Sequence, residues 1–207
     1  MDFINIFLHL DQYLGSVLKE YGIWVYLILF LIIFLETGLV VAPFLPGDSL
    51  IFLAGAFSAI GSLNIALLFI LLTVAAISGD TLNYYIGRHF GRKALQGKIP
   101  YVKKDHVDKA YDFYKRHGGK TIVIARFLPL IRTFAPFVAG IARMKYRNFA
   151  FYNVSGGVLW VLSFLSLGYY LGNIPFIKDN IEIVIVAIIL ASILPAAAGF
   201  LKARKRT

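Results

Sequence analysis

FLETGLVVAPFLPGDSLIFLAG, residues 34–55, is the stretch on which the fold turns. A membrane-spanning helix needs about 20 unbroken apolar residues, yet this run is interrupted by Pro43 and Pro46 and carries Glu36 and Asp48 at what would be bilayer depth. Non-helical backbone survives in hydrocarbon only where protein buries it or water lines it. The stretch therefore reads as a re-entrant hairpin that turns between Pro43 and Asp48, with its tip as a candidate site.

The device returns with the charge reversed. ARFLPLIRTFAPFVAG, residues 125–140, again holds two prolines, Pro129 and Pro136, and now two arginines, Arg126 and Arg132. Phe44-Leu45-Pro46 matches Phe127-Leu128-Pro129, Ala54-Gly55 matches Ala139-Gly140, and Tyr84-Tyr85-Ile86-Gly87 matches Tyr169-Tyr170-Leu171-Gly172. Gly55 precedes Tyr84 by 29 residues, and Gly140 precedes Tyr169 by the same number. Shared order and spacing point to an internal repeat offset by about 85 residues.

Composition agrees. With 207 residues, 59% of them hydrophobic, and a mean hydropathy of +0.75, the chain reads as one multi-spanning membrane domain. The absence of cysteine excludes disulfides, thiolate metal sites and a cysteine nucleophile. Residues 1–21 set Phe3, Phe7, Leu10, Leu14, Val17 and Tyr21 on one face, which predicts an interfacial amphipathic helix; Asp2 and the lack of a basic start argue against a signal peptide. Hairpin 1 is expected over 23–60, a turn over Gly61–Asn64 and a span over 65–86. A basic loop over 88–120 contains an amphipathic piece ending at Tyr114, which Gly118-Gly119 would stop. Hairpin 2 follows over 121–142, then spans over 149–172 and 181–201 and a basic tail over 202–207. The expected fold class is thus an all-α membrane protein, an inverted-topology repeat in which each half is a re-entrant helical hairpin plus a transmembrane helix, with a final C-terminal transmembrane helix.

A net charge of +10 raises nucleic acid as a partner, but the basic residues follow the membrane instead. Two hairpins and three crossings put 17 of the 21 Lys and Arg on one face, which the positive-inside rule makes cytoplasmic. If Ile23 to Val41 crossed fully, the parity would change.

A charge at the bilayer centre costs roughly 2.5–3.5 kcal/mol on insertion scales, so four unpaired ones would cost on the order of 10 kcal/mol. Glu36, Asp48, Arg126 and Arg132 must pair or face water. The plain alternative is that the carboxylates only neutralise the arginines and lock the hairpins. The functional reading gives Arg126 and Arg132 to a phosphate and makes Glu36 and Asp48 the groups that exchange protons. Asp80 is as compatible with a solvated helix end as with the site; Arg88 reads as a snorkelling anchor and a candidate support. Asn153, Gly156, Gly157 and Trp160 share one face of the later span, where small residues permit close packing. The tyrosine pairs at 84–85 and 169–170 read as interfacial belt residues. No histidine has a partner at metal-ligand spacing and no nucleophile–base arrangement is visible, so neither a metal, a cofactor nor hydrolysis is expected.

At these residues the chain resembles the DedA family, related to the eukaryotic VTT-domain proteins. The resemblance covers about residues 23–201. It rests on Glu36 with Pro46-Gly47-Asp48, Gly79-Asp80 with Tyr85-x-Gly87-Arg88, Arg126-Phe127-x-Pro129-x-x-Arg132, Pro136-x-x-Ala139-Gly140, and Asn153-x-x-Gly156 with Trp160. It implies a bacterial cytoplasmic-membrane protein with opposed hairpins that moves lipids between leaflets, its substrate undecaprenyl phosphate or a phospholipid, with proton coupling in some members. The family's acidic pair and arginine pair correspond to Glu36, Asp48, Arg126 and Arg132. Asp80, Arg88 and Asn153 are supporting candidates, and a homo-oligomer is compatible with the pattern. The rival readings are a phospholipid scramblase, a proton-coupled small-cation or drug exporter, and a scaffold that docks a partner on its basic loop.

Overall fold

The computed structural model describes residues 22–39, 47–95, 114 and 116–175. The helices with described bounds run in the order α1 (Gly22–Gly38), α2 (Gly47–Ala59), α3 (Ile65–Leu95), α4 (Lys120–Ala125), α5 (Pro129–Arg132), α6 (Phe134–Ile141) and α7 (Tyr146–Gly172), and Tyr114, Arg116 and His117 are helical as well. No strand occurs among the described residues. The expected helices over 1–21 and 181–201, the Pro43–Pro46 turn, most of the basic loop and the basic tail lie outside them.

Helix lengths follow from where the chain places its breakers. α1 and α2, 17 and 13 residues long, flank the proline pair and are each shorter than a crossing requires. The second proline segment is more finely broken. α4, α5 and α6 contain 6, 4 and 8 residues, with Pro129 opening α5, and all three pack on one another. By contrast, Ile65–Phe90 of α3 and all of α7 are long and apolar enough to cross a bilayer. Asn64 caps α3, its side-chain oxygen accepting the Leu67 N–H at 3.0 Å. The turns expected at Gly61 and Gly118 are present: both glycines take positive φ, +80° and +65°, where a Cβ would be strained. α3 runs to Leu95, beyond the expected end at 86. No proline lies between Ile86 and Leu95, and Gly87 and Gly91 weaken a helix without ending it.

The described chain divides into two compact units. One takes the described residues of Met1–Leu29, Pro46–Leu71 and Leu162–Thr207; the other takes those of Phe30–Leu45 and Leu72–Val161. Lipid tails are as apolar as leucine, so helices in a membrane associate through close packing and hydrogen bonds rather than through hydrophobic burial. Both units use glycine for that close approach. In the first, a Cβ on Gly55 would come within 2.2 Å of the Leu165 carbonyl oxygen, and one on Gly168 within 2.0 Å of that of Phe52. In the second, a Cβ on Gly140 would come within 2.1 Å of the Tyr84 carbonyl oxygen, and one on Gly87 within 2.1 Å of that of Phe137. The second unit also holds a packed core of Tyr84, Tyr114, Ile122, Ala139, Ala142 and Phe149. Tyr84 is fully buried there, stacked on Phe149 at 4.3 Å between ring centroids, with its hydroxyl donating to the Met144 carbonyl. The expectation of a belt residue is therefore corrected for Tyr84: the aromatic core claims its ring and the Met144 carbonyl its polar tip. Its neighbour Tyr85 remains exposed.

Candidate functional site

The site is assembled inside the second unit by α1, α3, the α4–α6 segment and the first half of α7. α1 supplies Glu36 from its last turn, and α3 supplies Asp80 and, nearly a turn later, Asn83. The break between α4 and α5 places Arg126, and the end of α5 places Arg132. α7 supplies Asn153 and Trp160. Both arginines and all three of Glu36, Asp80 and Asn153 are buried.

Two ion pairs form. Arg132 pairs through Nη2 with Glu36 Oε1, and Arg126 pairs through Nη2 with Asp80 Oδ2. The second pair is part of a network. Arg126 Nη2 also donates to Asn153 Oδ1 at 2.5 Å, while the Asn153 amide donates to the Ile77 carbonyl at 3.0 Å and to the Thr81 hydroxyl at 3.2 Å. Asn153 is thus oriented by α3 so that its oxygen faces the guanidinium. Gly156 and Gly157 let α7 pack closely beside it: a Cβ on Gly156 would come within 3.3 Å of the Val123 Cα, and one on Gly157 within 3.0 Å of the Ile77 side chain. Among the described residues, the buried Arg126 Nε and Nη1 find no acceptor. A buried guanidinium with donors left over is ready for a further anion.

Trp160 joins the two pairs. Its indole lies 5.8 Å from the Arg126 Cζ and 5.2 Å from that of Arg132, so both cations share one aromatic ring. Holding two like charges there is tolerable because each has its own carboxylate, and the four charges of the cluster sum to zero.

The structure sorts the sequence candidates. Arg126, Arg132, Glu36, Asp80 and Asn153 come together in this cluster; Asp80, left open between helix end and site, is a buried site member. Asp48 belongs to the other unit, half-buried in the first turn of α2, where a carboxylate complements the helix dipole. Arg88 is exposed and donates to the Tyr84 hydroxyl at 3.2 Å, in keeping with an anchor near the helix end. Asn83 was visible in the sequence only as a neighbour of Asp80. Its fully buried amide donates to the Thr37 carbonyl at 3.1 Å and the Thr133 carbonyl at 2.7 Å, tying α1 and the broken segment to α3 next to both ion pairs. A polar residue three positions after an intramembrane aspartate was the available signal. Tyr114 was read as part of an amphipathic surface helix, yet it is buried and donates to the Ala135 carbonyl at 2.6 Å. Burial first, and the Asp80 carboxylate second, push its phenol up, so it remains a donor.

Among the described residues, which form helices and no strand, two helices are long and apolar enough to cross a bilayer and buried, opposed charges are paired, the pattern of an integral membrane protein with a polar centre. Residues 45–170 match the VTT domain family. The chain is 50% identical to Protein DedA of Escherichia coli (strain K12) over 205 residues, 98% of this chain and 94% of that protein. It is 38% identical to Inner membrane protein YghB of Escherichia coli (strain K12), over 86% of this chain and 81% of that one. Inner membrane protein YqjA of the same strain is 36% identical over 82% of this chain and 78% of its own length. No solved structure matches. The chain belongs to the DedA family of VTT-domain membrane proteins.

Proposed function

We propose that the protein is a lipid-phosphate translocase of a bacterial cytoplasmic membrane, moving undecaprenyl phosphate or a related anionic lipid from the outer to the cytoplasmic leaflet. The observation that carries this reading is the Arg126 guanidinium: buried, sharing Trp160 with Arg132, and with no acceptor for Nε and Nη1 among the described residues. Arg126 and Arg132 bind the phosphate, with Asn153 holding the first in place. The names of the inner membrane relatives support the location. Opposed re-entrant hairpins in an inverted repeat are supported by the shortness of α1, α2 and α4–α6, and by the glycine contacts that each unit makes between a hairpin arm and the end of a spanning helix. On this topology the basic end of the protein is cytoplasmic.

Protons are the coupling ion. The cluster of Glu36, Asp80, Arg126 and Arg132 is neutral, so an arriving phosphate leaves it negative, and proton uptake by a carboxylate restores the balance. Phosphate and proton then enter together, and by reciprocity lower pH tightens phosphate binding. Asp48, half-buried at a helix start, is the second acidic candidate for this role.

The test is leaflet exchange of polyprenyl phosphate and of phosphatidylethanolamine in vesicles holding the purified protein, with and without an inward proton gradient. Exchange of the former, accelerated by the gradient, is expected. Arg132→Lys is expected to keep the fold and lose exchange, because an ammonium preserves the charge but not the planar fork. Glu36→Gln is expected to bind phosphate with a flattened pH profile. Wild-type protein that exchanges neither lipid ends the proposal, and exchange of phosphatidylethanolamine alone makes the protein a phospholipid scramblase.

A further inference from the structure

A second basic site opens where the chain leaves the broken segment and starts α7. It is a cavity of about 670 Å³, within the range of ligand pockets, and it shares no residue with the buried ion pairs. Tyr114, Gly119, Arg143, Arg147, Phe151 and Tyr152 line most of its described wall, and no acidic residue is among the described lining residues. Its shape is fixed by packing. A Cβ on Gly119 would fall 1.9 Å from the Tyr152 ring, so that wall closes only because residue 119 is glycine. Another part of the lining turns on Arg143, which adopts φ +53°, a left-handed conformation rare for a side chain of this size. Two hydrogen bonds hold the turn there, Arg143 N–H to the Gly140 carbonyl and Met144 N–H to the Ala139 carbonyl, both at 3.0 Å.

The position of the cavity on α7 indicates what it receives. α7 is of membrane-crossing length and begins at Tyr146, so Arg147 sits in its first turn, at the bilayer edge. Phe151 lies one turn further along the same face, about 6 Å deeper, and is 68% exposed. An exposed cation at the edge with an exposed aromatic one turn inside matches a ligand with an anionic head and an apolar tail. We infer that this cavity binds a phosphate ester through Arg143 and Arg147, with the glycerol or acyl portion of an anionic membrane lipid lying against Phe151. The site is an interfacial one, independent of transport through the buried cluster, and it stands whether or not the chain moves lipids.

The experiment uses the full chain in mild detergent. Native mass spectrometry with equimolar phosphatidylglycerol and phosphatidylcholine is expected to show preferential retention of the former. The variant Arg143→Asn/Arg147→Gln, in which asparagine suits the left-handed backbone, is expected to weaken that retention about 30-fold, as removal of two interfacial cations worth roughly 1 kcal/mol each implies. A parallel arm titrates glycerol 1-phosphate and scores thermal stabilisation. Retention of phosphatidylglycerol without a response to glycerol phosphate identifies a lipid as the ligand, whereas stabilisation by glycerol phosphate without lipid preference identifies a soluble phosphate ester. Arg147→Glu, at an exposed position of a helix first turn, repeats the test with little risk to folding and is expected to weaken binding by at least as much as the double variant. Unchanged phosphatidylglycerol retention and unchanged glycerol phosphate response in both variants overturn the assignment.

Discussion

The Arg126–Asp80 pair is the place to measure what the buried charges are worth. Both side chains are almost wholly buried, at 3% and 5% exposure, so removing one partner leaves the other charged in a medium that hydrates it poorly. Breaking a buried pair from one side costs about 3–5 kcal/mol. Asp80→Asn should fall near the lower end, because Arg126 keeps its 2.5 Å bond to Asn153 and an amide oxygen can still accept from it. Arg126→Gln should fall near the upper end: Asp80 loses its counter-ion, and Asn153 Oδ1 loses its donor. The double variant carries no stranded charge, and its two amides lie within reach of Asn153, so it should lose only about 2 kcal/mol, roughly what one or two unmade hydrogen bonds cost. The coupling between the two positions is then about 4 kcal/mol or more, well above the roughly 0.6 kcal/mol of an average neutral interhelical hydrogen bond in a membrane. The assay is unfolding by dodecyl sulfate in mixed micelles, followed by tryptophan fluorescence. The chain has two tryptophans, and in a Trp24→Phe background the remaining one is Trp160, which lies 5.8 Å from the Arg126 Cζ. Additivity of the single variants to within about 1 kcal/mol would refute the buried pairing and with it the construction of the site.

Three further outcomes are expected from the same unfolding assay. Gly140→Ala should cost about 1–3 kcal/mol, because its Cβ would meet the Tyr84 carbonyl oxygen at 2.1 Å, whereas Gly22→Ala, with nothing within 4 Å, should stay within about 0.5 kcal/mol of wild type; equal effects would deny the close approach. Asn83→Leu should cost about 1–3 kcal/mol by stripping the Thr37 and Thr133 carbonyls of their donor, and Tyr84→Phe about 1 kcal/mol for its hydroxyl, so that an Asn83 variant as stable as wild type would remove the clamp between α1 and the broken segment. Gly118→Ala should destabilise by about 1 kcal/mol through its positive φ alone, and Gly118→Asn by less; a stabilised alanine variant would mean that the turn is not left-handed.

What the sequence disclosed was whatever a membrane makes costly. Arg126, Arg132 and Glu36 stand in apolar runs where a charge needs a reason, so the three as members of a buried charge cluster, and the helix breaks at Pro129 and between α1 and α2, could be read from composition and spacing. Partner choice could not. Asp80 lies 46 residues from Arg126, and Glu36 lies 96 from Arg132, and which carboxylate meets which guanidinium is settled by helix packing at glycines rather than by any local pattern. Asp80 was ambiguous for a related reason. Its distance from bulk water depends on where α3 ends, and that end was placed at the first charged residues although charged residues continue a helix readily. With the helix extending to Leu95, Asp80 falls in its middle. Tyr84 was misplaced because a tyrosine pair near a helix end carries the same signature whether its rings sit at the interface or one of them turns inward to a core.

The observed pairing changes the division of labour between the two arginines. Arg126 is held by an aspartate and by an asparagine that is itself fixed to Ile77 and Thr81, and it still has donors to spare. A residue anchored on one side and open on the other is suited to stay in place while a ligand comes and goes. Arg132 sits at the end of a four-residue helix between two breaks, and Glu36 occupies the last turn of α1, so this second pair is carried by helices shorter than α3 and α7. Moving them costs fewer helical hydrogen bonds than moving α3 or α7. Asn83, bound to carbonyls beside both Glu36 and Arg132, resists that movement through hydrogen bonds that are individually weak. On the proposed function, a phosphate seated on Arg126 would compete for Arg132 beside Trp160, and every kilocalorie it gained from the second arginine would be taken from the Glu36 pair. On the proposed function, Glu36, rather than Asp80, is therefore the carboxylate that substrate binding would release.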